Sequence, residues 1–594
     1  MRFQTKRLLI WISILVLIFS ETTFASETRL SEIIVSSARF AVPLKELSQQ
    51  VEVIESDEIK DYGANSIDEA LRYLSTIDVM QRGPFGIQSD ISIRGGSFEQ
   101  TLFLINGIRV NDPQTGHFHS DIPIGINEIE RIEIMPGASS AVYGHGSFGG
   151  IINIITKDKS DSIISGGVKL GDNSYQRKNI AFTLPIPVNV RFGFEGQKSD
   201  GYKINTDFDN KIFNAFLNSN HLNLITGFSE KKFGANSFYT AKYPMQWEHT
   251  KSFLLAGKGD FKIEAVKISP TFIYRHHYDY YVLIRDNPSF YNNTHKTNYL
   301  SMSVPLYIDT NYGKFITGFE LSYDNIDSTR LGNNKRSHQA LFGGIKKYLD
   351  KSIINLDLRL DHYDRGVDFE LSPSFSALYK LTKDIKARMA INKSFRLPSY
   401  TELYYTSPVH KSNPNLKPEK VWQIESGMDF YGENFMTSFT LFQKWGSNII
   451  DWLKMGDYWI SDNINKVDTT GLTSAVIFFY KSNSIKFDYS WLNQRNNATL
   501  QSGYLNYLRH KVNLTINSQL PFDIKGTILI SHLKRIYQDS YTLLDLKITK
   551  PVKYNKIKGN LFIEGKNLTD KTYYDINSVI MPGRWLFAGV EIKI

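Results

Sequence analysis

Hydrophobic and polar residues alternate with a period of two along most of the chain beyond about residue 160. From residue 354 to residue 361, Ile or Leu at every even position alternates with Asn, Asp or Arg at every odd position. Residues 512–517 and 586–594 repeat the pattern, and turn signals such as Asp172-Asn173 separate such stretches. This period is typical of β-strands with one apolar and one polar face. The chain is therefore predicted to form a long series of strands that runs to its last residue.

The polar faces of these strands carry charged residues at high density. A soluble sandwich buries its apolar faces against a second sheet, whereas a membrane barrel exposes them to lipid and encloses a polar lumen. Because every backbone polar group in a bilayer needs a partner, such a sheet must close on itself. About 430 residues at roughly 20 per strand and turn predict a membrane all-β fold, an antiparallel transmembrane β-barrel of about 22 strands. We assign residues 159–594 to it.

Residues 44–158 do not follow the barrel pattern. Asn65–Leu74 predicts a short helix, with Ser66 as its N-cap and Glu69 completing a capping box. The predicted strands of this region are short and separated by glycines, as in a compact α+β domain. Since a barrel of this width would otherwise leave an open hole, we expect the domain to lie inside the lumen.

The N-terminus carries an export signal. The apolar run Leu8–Phe19 follows basic residues and is too short to cross a bilayer as a helix. Small residues before Ser26 predict cleavage after Ala25, so residues 1–25 are predicted to be a signal peptide. The alternative interpretation is an uncleaved anchor.

Composition excludes several classes of function. The chain has no Cys, so it has neither disulfides nor thiol chemistry. Its formal net charge is +9, but Lys and Arg are scattered among the acidic residues without a basic run, which argues against nucleic-acid binding. Anionic lipopolysaccharide and outer-membrane lipid are the expected counter-surface. No catalytic triad, phosphate-binding loop or zinc-ligand spacing is present, so no enzymatic activity is predicted.

Glycines and charged residues recur in a fixed order between Asp90 and Thr156. The segments concerned are Ser92-Ile93-Arg94-Gly95-Gly96, Leu104–Asp112, Ile129–Ile134 and Tyr143–Thr156. Their order resembles the plug domain of TonB-dependent outer-membrane receptors, which import scarce nutrients. Segments 395–404, 415–419 and 567–574 are similar to motifs of the barrel in that family. The resemblance implies the outer membrane of a Gram-negative bacterium and energised transport.

Within the N-terminal segment 26–43, residues 31–39 resemble a TonB box. The residues concerned are Glu32, Ile33, Ile34, Val35, Ser36, Ser37 and Ala38. In the family, the TonB energy-coupling complex of the inner membrane pulls on this segment. A β-branched run offers backbone donors and acceptors to the edge of a partner sheet, so strand addition is the expected mode of binding.

The resemblance also implies a latch between plug and barrel. Arg94 and Arg131 match family arginines that pair with barrel carboxylates, and the expected acceptors are Glu402, Glu419 and Glu425. Buried ion pairs seldom add net stability, so their expected use is to hold the plug in one position and permit its release. The alternative is ordinary surface charge.

The predicted cargo is cobalamin or a similar metal chelate, by overall likeness to the cobalamin and siderophore branch of the family. A ferric siderophore or haem importer of the same architecture is the alternative, and a passive diffusion channel is the alternative from another class. Imidazoles can ligate the metal of such a chelate. Candidate ligand contacts in the plug and the barrel are Asn111, His117, His119, His276, His277 and Tyr278.

Three carboxylates, Asp200, Asp207 and Asp209, lie close together in a predicted extracellular loop. Loops of a similar region bind calcium in cobalamin receptors, and hard cations need such oxygen ligands. Solvated turn residues are the default interpretation of these carboxylates, a structural calcium is the alternative, and no resident cofactor is required. A monomer is expected, and a surface lipoprotein is a further candidate partner.

Overall fold

The computed structural model describes most of the chain beyond its first residues. The described residues are 34–35, 42–158, 162–184, 186, 188–497, 506–576 and 579–594. The backbone of β1 (Ile34–Val35) pairs in antiparallel fashion with that of β2 (Val42–Pro43). The predicted signal peptide and five of the box residues lie outside the described residues: Glu32, Ile33, Ser36, Ser37 and Ala38.

A small mixed α+β domain follows. Its strands are β3 Glu52–Glu55, β4 Ile77–Gly83, β5 Gln88–Ile93, β6 Thr101–Ile105, β7 Ile108–Arg109, β8 Ile129–Pro136 and β9 Gly150–Thr156. Its helices are α1 Ser56–Asp61, α2 Ile67–Leu71 and α3 Ser140–Tyr143, with 3₁₀ turns at Leu44–Glu46, Phe98–Gln100, Gly116–Phe118 and Ile126–Glu128. A five-stranded sheet in the order β3-β8-β9-β6-β7 forms its centre, and β4 and β5 form a separate hairpin.

The predicted helix at residues 65–74 is present but shorter, as α2. Ser66 is its N-cap, yet the Ser66 side chain makes no capping hydrogen bond. The Glu69 carboxylate instead accepts hydrogen bonds from the backbone N–H of Asn65, at 2.8 Å, and from its side-chain amide, at 2.9 Å. The predicted capping box is therefore wrong, because the Glu69 carboxylate binds Asn65, the residue before Ser66, and not the backbone N–H of Ser66.

The rest of the chain forms strands β10 to β36. They are β10 Ile164–Gly171, β11 Tyr175–Leu184, β12 Asn189–Ser199, β13 Phe208–Asn218, β14 Leu222–Gly234, β15 Trp247–Gly259, β16 Phe261–Ile263, β17 Val266–Ile268, β18 Thr271–Val282, β19 Asn292–Thr310, β20 Gly313–Ser328, β21 Gly332–Tyr348, β22 Ser352–Tyr363, β23 Glu370–Lys380, β24 Ile385–Arg396, β25 His410–Lys411, β26 Glu419–Tyr431, β27 Phe435–Met455, β28 Tyr458–Tyr480, β29 Asn483–Asn496, β30 Leu508–Leu520, β31 Ile524–Arg535, β32 Tyr541–Tyr554, β33 Ile557–Lys566, β34 Tyr574–Ile576, β35 Val579–Ile580 and β36 Trp585–Lys593. A short helix, α4 (Tyr400–Tyr404), follows β24, and a 3₁₀ turn, Pro521–Asp523, precedes β31.

Twenty-two of these strands close into an antiparallel barrel, which confirms the predicted fold. The first, β10, pairs with both β11 and the last strand, β36. On β22 the side chains of Leu356 and Leu358 are each 50% exposed on the outer face, whereas Arg359 and Asp361 are fully buried in the lumen. The alternation therefore separates a lipid face from a polar interior. Within the described ranges, no helix is long and apolar enough to cross a membrane.

The two ends of the barrel differ in their connections. At one end the strands are joined by tight turns such as residues 311–312 and 481–482, whereas the other end carries longer loops such as 235–246 and 397–418. Barrels of this kind have short periplasmic turns and longer extracellular loops. The turn end is therefore periplasmic, and the β4–β5 hairpin of the plug lies near the extracellular loops, where Gln88 bonds to Tyr239 at 2.8 Å.

Candidate functional site

Arg94 joins the plug to the barrel wall. It lies directly after β5, with a positive φ of 49°, and its side chain is fully buried. Its Nη1 donates to Glu425 Oε2 of β26 at 2.7 Å, and its Nη2 donates to Gln50 Oε1 at 2.6 Å. The guanidinium lies over the ring of Phe442, 4.3 Å from the centroid, and Lys444 donates to the Arg94 carbonyl. The contact with Glu425 is the one expected from the resemblance.

Arg131 does not take the position expected for it. Its Nη2 lies 2.8 Å from Oε1 of Glu133, two residues along the same plug strand, β8. Residues two apart on a strand share one face, which brings this pair together locally. None of the three predicted barrel carboxylates forms an ion pair with Arg131 in the described part of the chain: Arg94 binds Glu425, and Arg396 binds Glu402 and Glu419.

A cluster around Arg396, the last residue of β24, forms a second link to the plug. Arg396 binds Glu402 through two parallel hydrogen bonds of 2.8 and 2.9 Å, and its Nε donates to Glu419 at 2.6 Å. Gln100 of the plug donates to the same Glu419 oxygen at 2.9 Å. Glu99 of the plug approaches Arg396 to 4.0 Å. We call these five residues the Arg396 cluster; Arg396, Glu99 and Gln100 were missed because no local spacing brings them together.

Glu99 carries a displaced pKa. Its side chain is 9% exposed, and its Oε1 accepts hydrogen bonds from Thr115 at 3.0 Å and Ser399 at 3.3 Å. Burial and the neighbouring Glu402 carboxylate raise the pKa of Glu99 from 4.5 to about 8. Within the Arg396 cluster, the Glu99 carboxyl therefore binds its proton at a higher pH than an ordinary carboxyl does.

Raising the pH from about 5 to about 8 is expected to weaken the folded plug through Glu99. Between its ordinary pKa of 4.5 and its folded pKa of about 8, the folded state binds more protons than the unfolded state, so stability falls as the pH rises. The neutral variant E99Q should remove this part of the pH dependence. Thermal unfolding of the purified receptor in detergent, measured across that range, gives the test. If the melting temperatures of the wild-type protein and of E99Q changed with pH in the same way, Glu99 would not be the source of this pH dependence.

A second ionic network links the plug loop after β7 to the barrel. Asp112 Oδ2 lies 3.2 Å from Arg275 Nη1 and 3.5 Å from His277 Nδ1 on β18. Asp121 lies 3.2 Å from His277 Nε2 and 3.0 Å from Lys231 Nζ. The His277 side chain is fully buried between the two carboxylates. Both ring nitrogens of His277 thus face carboxylates of the plug, and its contact with a ligand stays a prediction.

Two other predicted ligand contacts hold this plug loop in shape. The side-chain Nδ2 of Asn111 donates to the ring Nδ1 of His119 at 3.0 Å, and the side-chain Oδ1 of Asn111 accepts the backbone N–H of Phe103 at 2.8 Å. Burial lowers the pKa of His119 to about 3, so the ring is neutral. The side chains of Asn111 and His119 thus bond within the plug, and their contact with a ligand stays a prediction.

His276 and Tyr278 lie on the outside of the barrel. Successive residues of a strand point to opposite faces, and their neighbours Arg275 and His277 point into the lumen. His276 bonds to Asn298 of the adjacent strand at 2.9 Å. Both predicted contacts are therefore wrong: the phase of β18 places them on the outer surface.

His117 is the one predicted contact that faces the extracellular opening. Its side chain is 20% exposed, and its Nδ1 lies 2.5 Å from Asp90 Oδ1. The ring stacks on Phe98 at 4.4 Å and meets Tyr239 of loop 235–246 edge-on at 6.3 Å. Burial alone would raise the pKa of Asp90, but the charges of His117 and Arg82 outweigh it and lower it to about 2. A carboxylate that holds one ring nitrogen orients the other nitrogen for binding. We call His117, Phe98 and Tyr239 the vestibule site.

The three aspartates predicted to hold calcium do not form one site. Asp207 binds Arg285 through two hydrogen bonds of 2.6 and 2.9 Å. Asp209, on the outer face of β13, lies 3.3 Å from Lys211. Across the described ranges, no group of three or more His, Asp or Glu side chains is arranged to hold a metal ion. Asp200, Asp207 and Asp209 are therefore not brought together in this structure, and calcium binding by them stays a prediction.

Family comparisons agree with this architecture. The TonB-dependent receptor plug domain matches residues 43–151, and the TonB-dependent receptor-like β-barrel matches residues 156–568. The chain belongs to the TonB-dependent receptor family. Its members are receptors and transporters of the Gram-negative outer membrane, which confirms the predicted class and location.

Individual relatives are similar over most of the chain. The vitamin B12 transporter BtuB of Vibrio vulnificus is 25% identical over 73% of each chain, and that of Photobacterium profundum is 23% identical over 99% of this chain and 100% of its own. Two solved structures share the fold at 14% identity: the copper transporter OprC (TM-score 0.78, covering 92% of this chain and 99% of its own) and the siderophore receptor PirA of Acinetobacter baumannii (0.76, covering 95% and 100%).

Proposed function

We propose that this TonB-dependent receptor binds cobalamin or a similar metal chelate at the cell surface and imports it actively into the periplasm. The observation that carries the proposal is the similarity to vitamin B12 transporters along 73% to 99% of the chain. The vestibule site supports it, because an oriented imidazole beside two aromatic rings suits a large metal chelate. A ferric siderophore or haem importer of the same build is the alternative cargo class.

Import is driven from the inner membrane in this proposal. The plug lies in the lumen. It is held there by polar contacts, such as those of Arg94 and the Arg396 cluster, and by apolar packing of plug residues against the barrel wall. The box backbone at Ile34–Val35 already pairs as a strand with Val42–Pro43. Exchange of that pairing for the edge of a TonB sheet would attach the partner by strand addition. Ligand binding and partner binding are then coupled through the plug.

Deleting Glu32–Ala38 is expected to abolish accumulation of the nutrient and leave its binding to the cell surface intact. The deletion removes the attachment point of the partner, while the vestibule site and the barrel stay unchanged. Uptake and surface binding of labelled cobalamin, measured in cells that lack other cobalamin receptors, separate the two steps. Unchanged accumulation would contradict energised import and favour a passive channel.

The variant H117A is the matched control, because it should weaken surface binding by about tenfold or more and leave the box intact. The same cells are then grown with cobalamin, haem or a ferric chelate as the sole supply. Receptor-dependent growth on haem or ferric chelate alone would reject cobalamin and assign the alternative cargo.

A further inference from the structure

A cavity of about 500 Å³ lies between the plug and the barrel wall near the periplasmic end. The plug side is the β6–β7 turn, Asn106–Arg109, and the barrel side is formed by β15 to β20. Lys262 and Glu264 of the periplasmic hairpin form its lower edge. This volume is far larger than the space that one water molecule needs, and it is enough for part of a large ligand.

The lining of this cavity is basic. Five cationic side chains line it, against three carboxylates; the cations are Arg109, Lys258, Lys262, Lys267 and Lys314, and the acids are Glu264, Asp309 and Glu320. Glu320 is already bound by Arg359 of β22, at 3.1 Å, so its charge is offset from outside the cavity. Lys267 is likewise bound to Asp260, at 3.0 Å, and Lys314 lies 3.9 Å from Asp309. The excess of positive charge therefore comes from Arg109, Lys258 and Lys262, against Glu264.

Arg109 is the cation at the top of the cavity. Its Nη1 lies 3.2 Å from His145 Nε2, and its Nη2 donates to the carbonyl of Tyr143, at 3.3 Å, and to that of His145. Burial and the Arg109 charge hold the pKa of His145 well below its usual range, so these acceptors are all neutral. Arg109 forms no ion pair with a carboxylate of the described residues. A half-buried guanidinium without a counter-ion favours an anion at that position.

We propose that this cavity is an internal binding site for an anionic group, a carboxylate or phosphate, carried by the chelate as it crosses the lumen. Arg109 and Lys262 supply the hydrogen bonds from opposite sides. Because Arg109 belongs to the plug and Lys262 to the barrel, movement of the β6–β7 turn divides the site and releases the anion towards the periplasm. The source of the anion rests on the proposed function; the anion site itself does not.

Thiol labelling of the purified receptor tests the site without any transport. The chain contains no Cys, and Ser303 lines the cavity, so S303C introduces one reporter. The measured quantity is the labelling rate with an anionic methanethiosulfonate divided by the rate with a cationic one. This ratio should be about tenfold higher at S303C than at the reference S484C, which lies at another periplasmic turn. R109Q and, separately, K262Q should each lower that ratio severalfold. K262Q leaves the plug unchanged, so it keeps the test valid if R109Q loosens the plug. K553Q, at a distant turn, is the matched control.

Two further arms identify the source of the anion. Inorganic phosphate should slow labelling of S303C in the purified protein, and R109Q should reduce cobalamin uptake in cells while surface binding stays unchanged. Equal labelling ratios at S303C and S484C would overturn the site. A second outcome is that phosphate slows the labelling of S303C while R109Q and K262Q both take up cobalamin normally. That outcome would show that the anion does not belong to the cargo and that the site binds periplasmic anions.

Discussion

Joining Ser48 of the plug to Ser376 of the barrel through the double substitution S48C/S376C is expected to abolish import and leave ligand binding at the surface intact. The two hydroxyl oxygens lie 2.7 Å apart in a buried contact, which brings the side chains within the reach of a disulfide. The chain has no other Cys, so the pair has no competing partner. A covalent tie should stop any displacement of the N-terminal part of the plug. Accumulation of labelled cobalamin should fall to background and return on reduction.

The control is a disulfide that ties the barrel only to itself. Ser374 and Asn392 are directly opposite each other on β23 and β24, with side chains 2.7 Å apart. The variant S374C/N392C should therefore import normally when oxidised. If S48C/S376C is fully cross-linked, as judged by mass, and import still proceeds, the N-terminal part of the plug does not need to leave its position.

The barrel was predictable from sequence because its strands repeat one rule. On β22 a Leu or Ile face and a charged face leave only one way to place the strand between lipid and lumen, as Leu358 and Arg359 show. On β18 both faces carry polar and aromatic residues. The alternation could not decide whether His276 or His277 points inward, and the lumenal residue, His277, then proved to contact carboxylates of the plug.

The contacts between plug and barrel were predictable only in part. Arg94 was identified by its motif, but its partner could be narrowed only to three carboxylates, since pairing across hundreds of residues leaves no local signal. The helix α4 explains why one of the three carboxylates, Glu402, pairs with Arg396 and not with a plug arginine. The Ser399 hydroxyl and Glu402 form a capping box at its start, which turns the Glu402 carboxylate back onto Arg396. Glu402 is thereby occupied and unavailable to a plug arginine.

Removing either partner of the Arg94–Glu425 pair should cost the seated plug about 3–5 kcal/mol, whereas removing both should cost far less than the sum. R94M leaves the Glu425 carboxylate buried, with Gln423 at 3.1 Å as its remaining side-chain donor. E425M leaves the guanidinium with Gln50. In R94M/E425M neither charge remains, and two unbranched side chains can fill the space beside Phe442. Denaturant unfolding of the plug within the intact barrel measures the four proteins of the cycle.

The pair formed by Arg535 and Asp78, with nitrogen to oxygen distances of 2.6 and 2.5 Å, is a matched control on another side of the lumen. A double-mutant cycle with R535M and D78M should show a similar coupling energy. Its effects on the free energy of unfolding should add to those of the Arg94 cycle, because the two pairs share no residue. Single variants that cost less than about 1 kcal/mol would show that Arg94 behaves as a surface charge does. Coupling at Arg94 would mean that the plug is positioned by two charges that are stable only together, so any displacement of the turn after β5 that separates them costs free energy that an outside force has to supply.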